Sequence, residues 1–192
     1  KIFKSIDFKN IINCGAYNGD TLNVYSKKYK SIMENGLFFE ADKKNFKKLF
    51  IKSNLIKKKN KKFNLSCMNY ALSNTNGFIY FDSNKGLSSK VTKIKRHAAK
   101  IKCRSLDAEL KKKANKKWFL ILDCEGHEIK VLAGSKENIK KGNFNMAVSI
   151  YHKISDLWDI ILLLKTYKKN LKFFIKNYSG FTYETILYVK KN

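Results

Sequence analysis

Apolar runs and helical spacings alternate along the chain. Ile11, Ile12, Asn13 and Cys14, followed by Gly15 and Gly19, predict a buried strand that opens into a tight turn. Leu22, Tyr25, Tyr29, Ile32 and Met33 then recur at the spacing of a helix with one buried face. Residues 36–39 predict a second strand, which ends at Glu40. Asp42 stands where a helix needs its N-cap, and Phe46, Leu49 and Phe50 mark the inner face of that helix. The lysine-rich stretch 57–62 reads as an exposed turn.

Residues 63–68 and 77–82 predict further strands, and 84–96, with Gly86, Ser88 and Ser89, a loop. A short strand over 101–103 leads to Leu106 and Asp107. Residues 118–122 form the most hydrophobic strand and run into Asp123. Ile129, Val131 and Leu132 mark a helix before Gly134; residues 146–151 predict another central strand, ending at His152. Leu157, Ile160, Ile161 and Leu164 mark a further amphipathic helix. Two closing strand patterns, 172–176 and 184–189, predict an antiparallel hairpin at the edge of a parallel sheet. This alternation is that of an α/β fold. No internal repeat or domain linker interrupts it.

At 192 residues, 44% hydrophobic and 14% aromatic, the chain is expected to form one domain over 1–192 with a real core. No proline and only four cysteines exclude collagen-like, proline-rich and disulfide-scaffold classes. Charge changes the picture more. Lysine and arginine number 41 against 15 acidic residues, a net charge of +26, and only Arg96 and Arg104 are arginine. Such an excess points toward nucleic acid or an anionic surface. The lysines are spread through nearly every segment, however, and the chain favours residues with AT-rich codons. Phosphate and base readers lean on the bidentate fork of arginine. Solvated lysine faces are therefore the preferred reading, and nucleic acid is not the expected partner.

Cys14, Cys67, Cys103 and Cys124 are too dispersed for a structural zinc site and read as free thiols of a reducing cytoplasm. No apolar run approaches the roughly 20 residues of a membrane span, and no signal-peptide pattern is present. Peripheral membrane association stays open. The chain starts at Lys1 without Met, which leaves room for an upstream segment.

Three constellations carry chemistry. The turn from Asn13 to Asp20, between a strand and a helix, lets a ligand lie against backbone at Gly15 and Gly19. Glu40, at the end of the next strand, is placed to accept hydrogen bonds from a ribose diol. The turn is neither a GxGxxG fingerprint nor a P-loop. Asp123, Cys124, Glu125, Gly126, His127 and Glu128 form the second constellation, at a strand's carboxyl end where open α/β sheets bind ligands. Glu125 and Glu128 also suit a plain helix start, whereas Asp123 follows a buried strand and is harder to dismiss. Tyr151, His152 and Lys153 form the third, again at a strand's carboxyl end.

These residues fall in a recognisable pattern. IINCGAYNGDT, GLFFEAD, ALS at 71–73, RSLDAEL, ILDCEGHEIKVLAGSKENIKK, VSIYHKISDLW, FFIKNYS and ETILYV together resemble the FkbM-type S-adenosylmethionine-dependent methyltransferases, over about residues 10–189. The resemblance implies a class I methyltransferase (Rossmann-like) fold: a seven-stranded, mostly parallel sheet with an antiparallel last strand and helices on both faces. It implies S-adenosylmethionine as cofactor. Asn13, Gly15, Ala16, Tyr17, Gly19 and Asp123 would border its amino-acid and ribose end, Glu40 the ribose hydroxyls, and Ala71 the adenine. The family commonly has Asp where this chain has Asn13. The implied activity is O-methylation of a sugar or related acceptor in surface-polysaccharide or glycan biosynthesis. His152 is the candidate base. Asp123 would orient it, bind the acceptor, or hold Mg²⁺ or Mn²⁺. An RNA methyltransferase and a non-catalytic S-adenosylmethionine-binding protein are the alternatives, and a homo-oligomer is compatible with each.

Overall fold

The computed structural model describes residues 7–82, 90–91, 98–113, 116–181 and 183–191. Its strands in chain order are β1 (Asn10–Cys14), β2 (Asn35–Phe39), β3 (Asn64–Met68), β4 (Ala71–Leu72), β5 (Gly77–Asp82) and β6 (Lys90–Val91). They continue with β7 (Ala99–Arg104), β8 (Trp118–Leu122), β9 (Phe144–Ser149), β10 (Leu171–Asn177) and β11 (Thr185–Lys191). The helices are α1 (Asp20–Lys28), α2 (Lys43–Lys59), α3 (Leu106–Glu109), α4 (Glu128–Ala133), α5 (Lys136–Lys140) and α6 (Asp156–Tyr167).

Seven strands form one sheet in the order β10-β11-β9-β8-β1-β2-β3. The pairs from β3 through β9 are parallel, and β11 runs antiparallel between β9 and β10. The predicted hairpin is therefore present, with β10 rather than the last strand at the edge. The register fixes the site. Cys14 pairs with Phe39 on one side and Leu122 on the other, and Leu122 pairs with Val148. Gly15, Glu40, Asp123 and the segment after Ser149 consequently emerge at one edge of the sheet.

Alternate residues of each strand enter opposite cores. Ile12, Leu37, Leu120, Met146 and Leu187 pack with Val131 of α4, Ile139 of α5 and Ile160 and Leu164 of α6. Ile11, Phe38 and Leu65 pack with Leu22 of α1 and Leu49 of α2 on the other face. Each such side chain, fully buried, contributes about 1.5–3 kcal/mol of transfer free energy. The α/β fold with helices on both faces is thus explained by the two alternating apolar sets.

The chain departs from the sequence pattern in four places. α1 stops at Lys28; Met33 reaches the core from the following turn, and Ile32 is exposed. α2 continues through Lys59, absorbing half of the lysine stretch read as a turn, and those lysines suit the negative end of a helix. Asp42 does cap α2, accepting from Asn45 N at 2.8 Å. Phe50 points outward, because Phe46, Leu49 and Ser53 already occupy the inward stripe. Finally, β4, β7, β5 and β6 form a second, four-stranded sheet instead of joining the first. Apart from β6, most of the expected loop 84–96 lies outside the described residues.

Candidate active site

The turn after β1 is closed by its own backbone. Gly15 N and Ala16 N both donate to Phe39 O, at 3.1 and 3.0 Å, folding the turn over the end of β2. Gly15 has φ 80°, and a Cβ there would lie 1.8 Å from the Asp123 carbonyl oxygen. Only glycine fits. Tyr17 N donates to Glu40 Oε2 and Asp42 N to Glu40 Oε1, each at 2.7 Å. Burial pushes the Glu40 carboxyl up to about 7, the two amide donors pulling it back and the Asp42 charge adding to the rise.

A crevice of about 570 Å³ opens along this edge, within the ~300–1,000 Å³ range of small-molecule sites. Asn13, Gly15, Tyr17, Glu40, Asp123, Glu125, His127 and Tyr151 line it where β1, β2, β8 and β9 end. Tyr70, Ala71, Phe81 and Val91 wall it from the side of the second sheet. Asn13 is 1% exposed, yet its Nδ2 has no hydrogen-bond partner. A buried donor without a partner is costly, and this one borders the crevice. Ala16 and Gly19 are not among the lining residues. Ala16 is buried with Leu22 and Leu49, and a Cβ at Gly19 would lie 3.1 Å from Leu49, so both shape the turn.

The acidic end has a definite order. Glu128, fully buried at the start of α4, accepts from Cys124 N at 2.7 Å through Oε1. The same oxygen lies 3.0 Å from His152 Nδ1. His152 Nε2 lies 3.4 Å from Asp123 Oδ1 and 3.6 Å from Glu125 Oε2. The imidazole is only 8% exposed, whereas the Asp123 side chain is 48% exposed at the crevice. His152 therefore stands behind Asp123, which lines the crevice while the imidazole does not. Burial alone would lower His152, but Glu128, Asp123 and Glu125 outweigh it and hold the imidazole above its ordinary value. Removal from water raises the Asp123 carboxyl, while His152 and the neighbouring Ser149 and Tyr151 pull it down.

Glu125 and Gly126 take the left-handed backbone, φ 53° and 87°, which turns the chain sharply enough to bring Glu128 back under Asp123. By sequence Glu128 reads as a solvated helix start; the structure buries it instead as the counter-ion of His152. His127 makes a separate contact, Nε2 to Ser73 Oγ at 3.1 Å, and burial pushes it down to about 4.

A family model for the methyltransferase FkbM domain matches residues 13–175. The chain belongs to the FkbM methyltransferase domain family. The FkbM methyltransferase structure from Methylobacillus flagellatus KT is similar at TM-score 0.76 and 18% identity, covering 95% of this chain and 44% of that one. SMU.1697c of Streptococcus mutans, solved in complex with SAH, matches at TM-score 0.54 and 9% identity over 100% of this chain and 94% of its own. Precorrin-6y C5,15-methyltransferase from Geobacter metallireducens GS-15 matches at 0.51 and 8%, over 98% and 81%. At these identities the structures establish the class I methyltransferase fold. No curated protein sequence matches the chain.

In this FkbM domain, Asn13, Gly15, Tyr17, Glu40, Ala71 and Asp123 all line one crevice. Phe81 and Val91 were not foreseen there, because they arrive from a second sheet whose pairing no local pattern specifies, and Tyr70 stands in the bend that leads into it. Asp123, Glu128 and His152 each offer a ligand atom within 4.8 Å of the others, a grouping able to hold a metal ion. The imidazole already lies between the carboxylates, with one ring nitrogen toward each, and when protonated it is itself the counter-charge they need.

Proposed function

We propose that this domain transfers a methyl group from S-adenosylmethionine to a hydroxyl of a sugar or sugar-like acceptor, in cytoplasmic glycan or surface-polysaccharide biosynthesis. The observation that carries this reading is one crevice lined together by Glu40, an unpartnered Asn13 amide and Asp123. When bound, S-adenosylmethionine supplies an electrophilic methyl group on a sulfonium. Glu40 accepts hydrogen bonds from its ribose hydroxyls, and Asn13 Nδ2 is free to donate to its polar end. Asp123 holds the acceptor hydroxyl and takes its proton, and His152 Nε2 receives that proton from Asp123. Glu128 Oε1 lies 3.0 Å from Nδ1, and Nε2 is the nitrogen turned toward Asp123.

Calorimetry with S-adenosylmethionine tests the cofactor half. Glu40→Ala should weaken binding by about 1.5–3 kcal/mol, the scale of hydrogen bonds to a charged group. Affinity of the wild type should also rise as pH passes through about 7, where the Glu40 carboxyl ionises, and that rise should vanish in the variant. No binding by folded wild-type protein removes the reading.

Asp123→Asn keeps the shape, removes the charge and should slow turnover without loss of cofactor affinity. Chelator treatment separates its proton role from a metal role. If Asp123 and His152 carry the proton without a metal, turnover should survive chelation. Loss of activity with recovery on Mg²⁺ or Mn²⁺ would instead give Asp123 to the metal.

The net charge of +26 favours a second reading, methylation of RNA. Dispersed lysines bind nucleic acid through counterion release, which fades steeply with salt. Methyl transfer to a defined RNA position at physiological salt would select that reading over the glycan one.

A further inference from the structure

Two of the four cysteines meet at the crevice. Cys14 ends β1, and Cys124 stands just beyond the end of β8, the strand paired with β1. Their sulfur atoms lie 3.1 Å apart, with the Cys124 thiol placed to donate to Cys14 Sγ. The Cys14 carbonyl oxygen is 3.4 Å from the same thiol. Cys67 lies on β3, with β2 between it and β1. Two strand spacings are about 10 Å, beyond the roughly 7 Å between Cα atoms that a disulfide can span. Cys103 belongs to the second sheet, where its thiol meets Thr75 O at 3.6 Å.

A buried thiol is ordinarily a small apolar filler. This pair differs because both residues line the crevice, where a small solute can reach them. A disulfide bond is about 2.05 Å long, so the sulfurs would have to approach by about 1 Å. The backbone around them has no slack. A Cβ on Gly15 would lie 1.8 Å from the Asp123 carbonyl oxygen, and Asp123 N donates to Cys14 O at 3.1 Å. Drawing the sulfurs together therefore shifts Gly15 or Asp123, and both line the crevice.

We infer that Cys14 and Cys124 form a redox-sensitive dithiol, which a peroxide converts to a disulfide that deforms the crevice and weakens cofactor binding. Cys14 Sγ, which receives the hydrogen bond, attacks one peroxide oxygen. The O–O bond breaks, the leaving hydroxide takes the Cys14 proton as water, and a sulfenic acid remains. Cys124 Sγ then attacks the Cys14 sulfur, and the S–O bond breaks. The hydroxyl leaves with the Cys124 proton as a second water. The dithiol has lost two electrons and two protons, and peroxide is reduced to water. A thiol reductant reverses the bond by exchange. Disulfide formation is independent of the proposed activity; the effect on the cofactor rests on the S-adenosylmethionine reading.

Hydrogen peroxide added to the reduced protein should lower the thiols titrated after denaturation from four to two. Peptide mapping should recover one cross-link, Cys14 to Cys124. Calorimetry should then show S-adenosylmethionine bound about tenfold more weakly, the scale of one hydrogen bond, with recovery on adding dithiothreitol. Cys124→Ser, whatever its own affinity, should form no cross-link, and its affinity should not respond to peroxide. Cys14→Ser repeats the test from the other sulfur. No oxidation, sulfinic acid without a cross-link, or a cross-link through Cys67 or Cys103 overturns the inference. So does a Cys14–Cys124 cross-link that leaves cofactor affinity unchanged. Reduced wild-type protein that binds no S-adenosylmethionine instead removes the proposed activity and the cofactor effect with it, while mapping still decides the disulfide.

Discussion

His152→Ala is expected to lower turnover by about 10²–10⁴-fold, the usual contribution of a positioned proton acceptor, while S-adenosylmethionine affinity holds. The reason is the order of the acidic end. Asp123 meets the crevice, His152 stands behind it at 3.4 Å, and the imidazole is held above its ordinary pKa. A base held that way keeps its proton to a higher pH than a free imidazole and becomes an acceptor as pH rises. The wild-type rate should therefore climb with pH beyond about 6.5, the ordinary histidine value, and the variant should lose that limb. A purely structural role for His152 would lower stability but leave the shape of the pH profile unchanged. Near-wild-type turnover with an intact pH dependence would remove His152 from the proton path.

The second large effect is on stability. Glu128 is fully buried, and its partner His152 is 8% exposed, so Glu128→Gln leaves a buried imidazolium without its nearest counter-ion. Removing one partner of a buried pair typically costs about 3–5 kcal/mol. The amide that replaces the carboxylate retains an acceptor oxygen for Cys124 N, which limits the loss to the charge itself. The raised His152 value sets the pH window. Its stabilising contribution is fully present below the unfolded value near about 6.5 and disappears as pH climbs through the higher folded value. Chemical denaturation of both proteins should show the larger gap at mildly acidic pH and convergence at alkaline pH. A gap of equal size at every pH would mean that packing, not charge, links Glu128 to the fold.

Much of this site was legible in the chain because strand ends are local. The four apolar positions before Gly15, the run into Asp123 and the run into His152 each name a strand, and parallel strands deliver their carboxyl ends to one edge. That logic put Asn13, Glu40, Asp123 and His152 near one another before any coordinates. It failed where the outcome depended on what packs behind a residue. Glu128 looks like any acid in a first helical turn; only the left-handed backbone at Glu125 and Gly126 turns it inward to His152. Ala16 and Gly19 look like ligand contacts, yet α2 lies against them and makes them supports of the turn.

The sequence by itself determined the α/β alternation, the glycine turn, the cap at Asp42 and the closing hairpin, since each rests on contacts within a few residues or on the period of apolar positions. The tertiary structure alone decided that β4, β5, β6 and β7 form a separate sheet beside the crevice, that α1 ends before Met33, and that Asp123 rather than His152 lines the crevice. These depend on which surfaces meet across long separations, and side-chain burial there is set by the partner element, not by the residue's own neighbours in sequence.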